Sequence, residues 1–216
     1  GARDVFNQRV ASYRLAEMYL RRHWPPAAGM EHLRDLTPER LGVRPAEVYR
    51  AVARLPDKPS RKQLGKIFDE QDRPAVEAIL ASHDDVGPYD LRGVTLFGLS
   101  EITRAERFAG VLNAGDLETV GRYMRTSHDG DRVVGFDANG AICRFDAALG
   151  EADLQRLAEA DADLAGQSGR YACSTEWIDH LVHVAGSVPG VLGAQLAGAG
   201  LGGCAMILVA EGAVDA

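Results

Sequence analysis

Lysine is scarce in this 216-residue chain: Lys58, Lys62 and Lys66 are the only three among 24 basic residues. The remaining positive charge is arginine, a bias that reads as genome composition rather than chemistry. An excess of positive charge is lacking too. The net charge is −7 and the pI near 5.4, which disfavours non-specific attraction to nucleic acid or anionic lipid. Neither a nucleic acid nor a membrane is expected as a partner. Cysteine is limited to Cys143, Cys173 and Cys204, widely spaced, odd in number and without a CxxC, so neither a disulfide framework nor a zinc knuckle is suggested. A reducing, cytoplasmic setting is expected. The first residues, GARDVFNQRV, carry mixed charge and lack the apolar centre of a secretion signal. No HExxH, internal repeat or low-complexity tract occurs, and no metal site is expected.

What is present is a globular composition, 46% hydrophobic and 25% charged, enough to bury a core in one large or two small domains. Phe6, Val10, Leu15, Met18 and Tyr19 recur at helical spacing and predict a helix over about 4–22, stopped by HWPP. Thr37 before Pro38, Ser60 with Gln63, and Asp72 before Pro74 read as the starts of short helices between about 30 and 82, the second as a capping box. LRGVTLFGLSEITRAERFAGVL and, after the cap Asp116, DLETVGRYMRTSH read as a helical hairpin. In RVVGFDANGAICRF, β-favouring residues flank Asn139-Gly140, so a hairpin with a type I′ turn is expected over about 132–145. A helix follows at about 150–161, Ser174 is expected to cap another in STEWIDHLVHVAG, and GVLGAQLAG and CAMILVA read as two strands. Arg104, Glu106 and Arg107 read as surface ion pairs. Glu176, Asp179, His180 and His183 read as a solvated helix face, with metal ligation the weaker alternative.

The glycine segment joining those strands decides the functional reading. Gly198, Gly200 and Gly203 form a GxGxxG, and Gly198 and Gly202 a GxxxG. A dinucleotide loop would have to open a helix after a strand, with an acidic residue about twenty positions later; here only 13 residues follow Gly203 and CAMILV is strand-like. A membrane helix is suggested by the absence of Asp, Glu, Lys and Arg between Asp179 and Glu211, but Pro189, Gln195 and the many glycines oppose it. A tight strand connection, with glycines permitting positive φ or close packing, is the remaining reading.

The surroundings of that turn add a resemblance. Gly193-Ala194-Gln195-Leu196-Ala197-Gly198-Ala199-Gly200-Leu201-Gly202-Gly203-Cys204 resembles the third signature of the GHMP kinase family, in galactokinases Gly-Ala-Arg/Lys-X-Thr-Gly-X-Gly-X-Gly-Gly-Cys. Met124, Ser127 and His128 are similar to the family's Met-X-X-Ser-His, and Ser174, Glu176 and Asp179 to its Ser-X-Glu-Leu-Asp helix. ERFAGVLNAGDLETVGRYM, with its Gly115-Asp116 turn, resembles the preceding helical hairpin. Asn7, Arg9, Val10, Ala11, Arg14, Leu15 and Ala16 resemble the opening of the galactokinase C-terminal half. The five segments stand in the expected order.

The resemblance implies an α+β fold, a small antiparallel sheet packed by helices with ferredoxin-like topology, with one GHMP-kinase-like C-terminal domain over 1–216. Its parts would be a helical region at about 1–128, an inserted hairpin and helix at about 131–165, and the signature helix and strand pair at about 174–210. The insertion would cover the cleft or support a homodimer. The implied activity is phosphoryl transfer from ATP to a monosaccharide hydroxyl, in carbohydrate metabolism, with ATP and Mg²⁺ bound by the whole protein. Gly198, Ala199, Gly200, Gly202 and Gly203 would line the nucleotide cleft, and Phe6 would touch the sugar. The phosphate-binding Pro-X-X-X-Gly-Leu-Ser-Ser-Ser-Ala loop and the catalytic aspartate belong to an N-terminal lobe that these 216 residues do not contain. The expectation is therefore a segment of a larger kinase, with no catalytic residue of its own and no turnover alone. Gln195 in place of a cation, Ala197 in place of a hydroxyl and Phe6 in place of a tyrosine favour the alternative, a sugar or nucleotide sensor without turnover. Ser127 and His128, being adjacent, suit a structural hydrogen-bonding role better than a nucleophile and base.

Overall fold

The computed structural model describes residues 2–145 and 149–213. They fall into two compact units, one formed by residues 2–99 and 149–164, the other by residues 100–145 and 165–213. Helices are α1 (Ala2–His23), α2 (Pro38–Leu41), α3 (Pro45–Ala53), α4 (Arg61–Ile67), α5 (Arg73–Leu80), α6 (Leu91–Asn113), α7 (Leu117–Asp131), α8 (Glu151–Glu159) and α9 (Glu176–Ser187). Strands β1 (Val134–Phe136) and β2 (Ile142–Arg144) form one antiparallel pair, and β3 (Val191–Ala197) and β4 (Cys204–Val209) another. The fold is α+β with small antiparallel sheets, as expected. None of the described helices is long and apolar enough to cross a membrane.

The first unit is helical. α1 buries Gln8, Ala11, Ser12, Leu15, Ala16 and Leu20, a face rotated from the expected one: Leu15 lies on it, but Val10 is exposed and Phe6, Met18 and Tyr19 are half-buried. Small residues set this face, because Ala and Ser let neighbouring helices approach where large side chains would hold them off. Ser60 accepts from the Gln63 N–H and Gln63 reaches back to the Ser60 N–H, which is the expected capping box. Asp161, just beyond α8, accepts from the Ala46 N–H at 2.8 Å and from Arg44 Nε at 3.1 Å, fastening α8 to the start of α3. Those bonds, the Ala46 one foremost, hold its carboxyl below the ordinary value.

The second unit is built around the β3–β4 pair. α9 packs Ile178, Val182 and Ala185 against Ala194 and Leu196 of β3. Gly121 of α7 touches β3 so closely that a Cβ there would lie 2.0 Å from the Leu192 carbonyl oxygen, and a Cβ on Gly193 would lie 2.6 Å from the Gly121 Cα. The register shifts between Val191 and Gly193, which leaves Leu192 as a bulge whose carbonyl accepts from Arg125.

Several local expectations are corrected. α9 is capped by Thr175, whose hydroxyl accepts from the Ile178 N–H; Ser174 lies one residue too early. The Asn139-Gly140 turn is not type I′: Gly140 alone of the two has positive φ, and the Asp137 carboxylate accepts from the Asn139 and Ala141 N–H groups. With the Gly140 N–H on the Asp137 carbonyl, this is a type I turn followed by a glycine bulge, and the aspartate selects it. Arg104 is buried rather than part of a surface pair; it donates to the carbonyls of Ala165 (2.9 Å) and Gln167 (2.7 Å) and pairs with Glu101.

The glycine contact gives a paired prediction. Gly110, in α6, has open space among the described residues where a Cβ would stand, so Gly110→Ala should stabilise the chain by about 0.5–1 kcal/mol through helix propensity. Gly121→Ala carries the same propensity gain yet should destabilise by about 1–3 kcal/mol, because helix and strand are forced apart. Chemical denaturation of both variants checks this; equal shifts would contradict the close approach.

Candidate functional site

The turn between β3 and β4, residues 198–203, runs almost entirely at positive φ: Gly198 at 84°, Gly200 at 80°, Leu201 at 62°, Gly202 at 125° and Gly203 at 104°. Four of those five are glycines, the residue that adopts this region without strain. Gly200 is also sterically required, since a Cβ would lie 2.1 Å from the Cys173 carbonyl oxygen. That carbonyl accepts from the Leu201 N–H at 2.5 Å and pins the turn. Among the described residues, the N–H groups of Gly198, Ala199, Gly200, Gly202 and Gly203 have no backbone acceptor. Gly198 and Gly202 have open space where a Cβ would stand. Such a run of unpaired backbone donors is a surface suited to anionic oxygens.

Behind the pin stands the end of α7. The Tyr171 and Ala172 N–H groups donate to the Gly130 carbonyl, and the Ser174 N–H donates to the Asp131 carbonyl. The Asp131 carboxylate accepts from the Cys173 N–H but is pushed up to about 7, by burial first and then by the nearby Glu101 charge. A carboxyl that changes charge near neutral pH therefore sits one peptide away from the anchor of the turn.

The centre of the unit is His128, fully buried, with Nδ1 accepting from the Leu196 N–H at 3.3 Å and Nε2 lying 3.4 Å from Asp179 Oδ1. Because Nδ1 accepts, the ring is the neutral tautomer with its proton on Nε2, facing the carboxylate. Burial pushes its pKa down to about 4, against the pull of Asp179. The other oxygen of Asp179 accepts from the Val133 and Val134 N–H groups at 2.8 and 2.9 Å, holding the start of β1. The stretches singled out around Ser127-His128 and Asp179 thus meet in a buried hub that ties α7, α9, β1 and β3 together, and His128 has a structural hydrogen-bonding role. Asp179 is accordingly not on a solvated helix face. His180 is exposed and His183 half-buried, with the Phe136 ring stacked on His183 at 4.5 Å.

The other expected residues are dispersed. Phe6 is half-buried on α1 in the first unit, and the turn belongs to the second. Gln195 lines a largely apolar cavity of about 540 Å³ with Phe108, Tyr123 and Met206, while Ala197 ends β3 at the turn. No three His, Cys, Asp or Glu side chains converge as metal ligands among the described residues. Pattern reading missed the pairing of His128 with Asp179, the Arg125 bond to Leu192 and the Cys173 pin. Only the first left a signal, since both partners fell in stretches already marked.

Residues 141–216 match the family model "GHMP kinases C terminal". Over 143 residues the chain is 32% identical to a galactokinase of Roseiflexus sp. (strain RS-1), a match covering 66% of this chain and 27% of that protein. The chain thus spans about a quarter of the length of the curated relative that it matches.

The hub predicts a definite acid response. Between pH 6.5 and about 4 the unfolded chain protonates His128 and the folded chain does not, so acidification removes stability at up to about 1.4 kcal/mol per pH unit. Asp131, raised to about 7, acts with the opposite sign and favours the folded state as pH falls. Asp131→Asn should therefore make Tm drop more steeply than in the parent between pH 7 and 5, and His128→Gln less steeply. Identical pH slopes in thermal melts of all three proteins would refute the assignment.

Proposed function

Since the chain carries a GHMP kinase C-terminal domain over residues 141–216 and is galactokinase-like, we propose that it is the C-terminal part of an ATP-dependent sugar kinase, transferring the γ-phosphoryl group to a monosaccharide hydroxyl. On this reading all of 1–216 serves as the C-terminal half. The observation that carries the proposal is the 198–203 turn, with its positive φ values, its unpaired N–H groups and its anchor on Cys173. Gly198, Ala199, Gly200, Gly202 and Gly203 form one wall of the nucleotide cleft, presenting backbone dipoles to phosphate oxygens without a side chain in the way.

ATP with Mg²⁺ supplies the activated phosphoryl group and neutralises its charge during in-line transfer. The chain's own part is positioning. The turn is rigid because Leu201 is tied to Cys173, and Cys173 to the end of α7, so its donors need no reorganisation to meet a phosphate. Mg²⁺ ligands, the phosphate loop and the groups handling the sugar proton come from an N-terminal lobe, the partner that this reading requires. The open outer edge of β4 supports such a partner: among the described residues no backbone hydrogen bond reaches it, and Met206 and Ile207 are exposed there. Phe6 is assigned to the sugar side, where its ring stacks against the pyranose.

A second reading, a sugar or nucleotide sensor without turnover, is favoured by Gln195 and Ala197, which supply neither a cation nor a hydroxyl near the turn.

The decisive assay is coupled ADP release by the whole protein over a panel of monosaccharides. The expected outcome is turnover on at least one sugar, none for the 216-residue chain alone, and a fall in kcat/KM of about ten-fold or more for Gly202→Val, whose side chain would enter the open space over the turn. Saturable nucleotide binding by the whole protein with no ADP release on any sugar would replace the kinase reading with the sensor.

A further inference from the structure

A second cluster of charge lies at the opposite end of β3, about 20 Å of strand away from the glycine turn. There α7, α9 and the start of β3 enclose a cavity of about 300 Å³. One face of α7 supplies Arg125 and Asp129, Arg132 follows as its C-terminal cap on the same side, and α9 supplies His183 and Ser187.

Arg132 is the unusual member. Its side chain is four-fifths buried, yet among the described residues its side-chain partners are a single 3.4 Å contact with Asp129 and the face of Phe145 at 5.3 Å. Among the same residues its buried Nε meets no acceptor. A guanidinium has five N–H donors in a fixed fork, and leaving them idle away from water is costly. Arg125, at the mouth, gives one donor to the Leu192 carbonyl and keeps the others. Among the described residues lining the cavity, the two guanidinium charges face the Asp129 carboxylate, whose own charge is disfavoured by burial, while the Asp179 carboxylate lies behind His128. His128, at the back, is neutral and engaged with Leu196 and Asp179. With Asp179 behind it the charges balance in number, but among the described residues the guanidinium donors outnumber the acceptors that meet them, and that deficit is what a ligand would fill.

We propose that this cavity is an oxyanion site that takes a phosphate group, free or as the monoester of a small metabolite, with Arg132 as its buried fork and Arg125 as its outer clamp. Tetrahedral oxygens match the parallel N–H pairs of guanidinium, and the volume exceeds what one phosphate fills, leaving room for a small ester. Asp129 is the counter-charge that the ligand must compete with. The site does not depend on the kinase reading, because no residue of the 198–203 turn takes part.

Isothermal titration at constant ionic strength, with inorganic phosphate in one arm and a hexose 1-phosphate in the other, tests it on the 216-residue chain. Saturable binding in at least one arm is expected, a tighter ester identifying a phosphorylated metabolite and a tighter phosphate the free ion. Arg132→Gln should weaken that binding at least ten-fold, Arg132→Lys less, and Asp129→Asn should tighten it several-fold. Circular dichroism establishes that each variant is folded; if Arg132→Gln is not, the Asp129→Asn result decides. No saturable binding in either arm, unchanged binding by folded Arg132→Gln, or no tightening in Asp129→Asn would overturn the proposal.

Discussion

Everything in the second unit depends on how the outer edge of β3 is closed. A two-stranded sheet exposes two rows of backbone groups, and β3 has β4 on one side only. On its other side stands a helix, α7, which cannot continue a ladder. The Leu196 N–H is taken by the His128 ring and the Leu192 carbonyl by the Arg125 guanidinium, three residues apart on one helix face. Side chains act here in place of a third strand. Their reach fixes the helix-to-strand distance, and Gly121 against Gly193 is what allows that distance to be so short.

Closing the edge with a histidine brings a further requirement. The ring must be neutral at Nδ1 to accept, and its other nitrogen needs a partner in a place without water. Asp179 Oδ1 stands 3.4 Å away, an electrostatic contact without hydrogen-bond geometry, and its other oxygen takes the hydrogen bonds a buried carboxylate needs from the Val133 and Val134 N–H groups. The chain of dependence therefore runs from the edge of β3 through His128 and Asp179 to the first residues of the β1–β2 hairpin. The hairpin is held by its entry and by Phe136 of β1 on His183, while the β2 residues are exposed.

The parts legible in sequence were those in which one residue type has one physical explanation. Ser60 with Gln63 and Asp116 before its helix have caps as their purpose, and glycines repeated between two apolar runs have a tight strand connection. The misplaced features were those decided by competition. Ser174 and Thr175 can each cap, and only the backbone path selects Thr175. Asn139-Gly140 favours one turn alone and another when Asp137 is free to bond the loop. Arg104 reads as a surface residue by type, and it is buried because two carbonyls and Glu101 meet it. The site was legible to the same degree: the glycines announced the turn, whereas Cys173, which pins it through a carbonyl, has no side-chain signature to read.

That contrast bears on what the turn can tolerate. A surface made of N–H dipoles keeps its partial charges whatever side chains flank it, so Gln195 and Ala197 leave its attraction for anionic oxygens in place while removing the extra strength of a cation or hydroxyl. What it cannot tolerate is movement, because dipoles act over short range and only when aimed. Its aim is set by Cys173, which is held at its own N–H by the carboxylate of Asp131 and flanked by Ser174, bonded to the Asp131 carbonyl. The buried acid at the end of α7 is therefore a positional constraint on the turn, and the neutral histidine one turn of helix before it is the constraint on α7. The groups that set the aim have no reach to a ligand: the hub is buried, and the glycines whose N–H groups it aims lie nearer the surface.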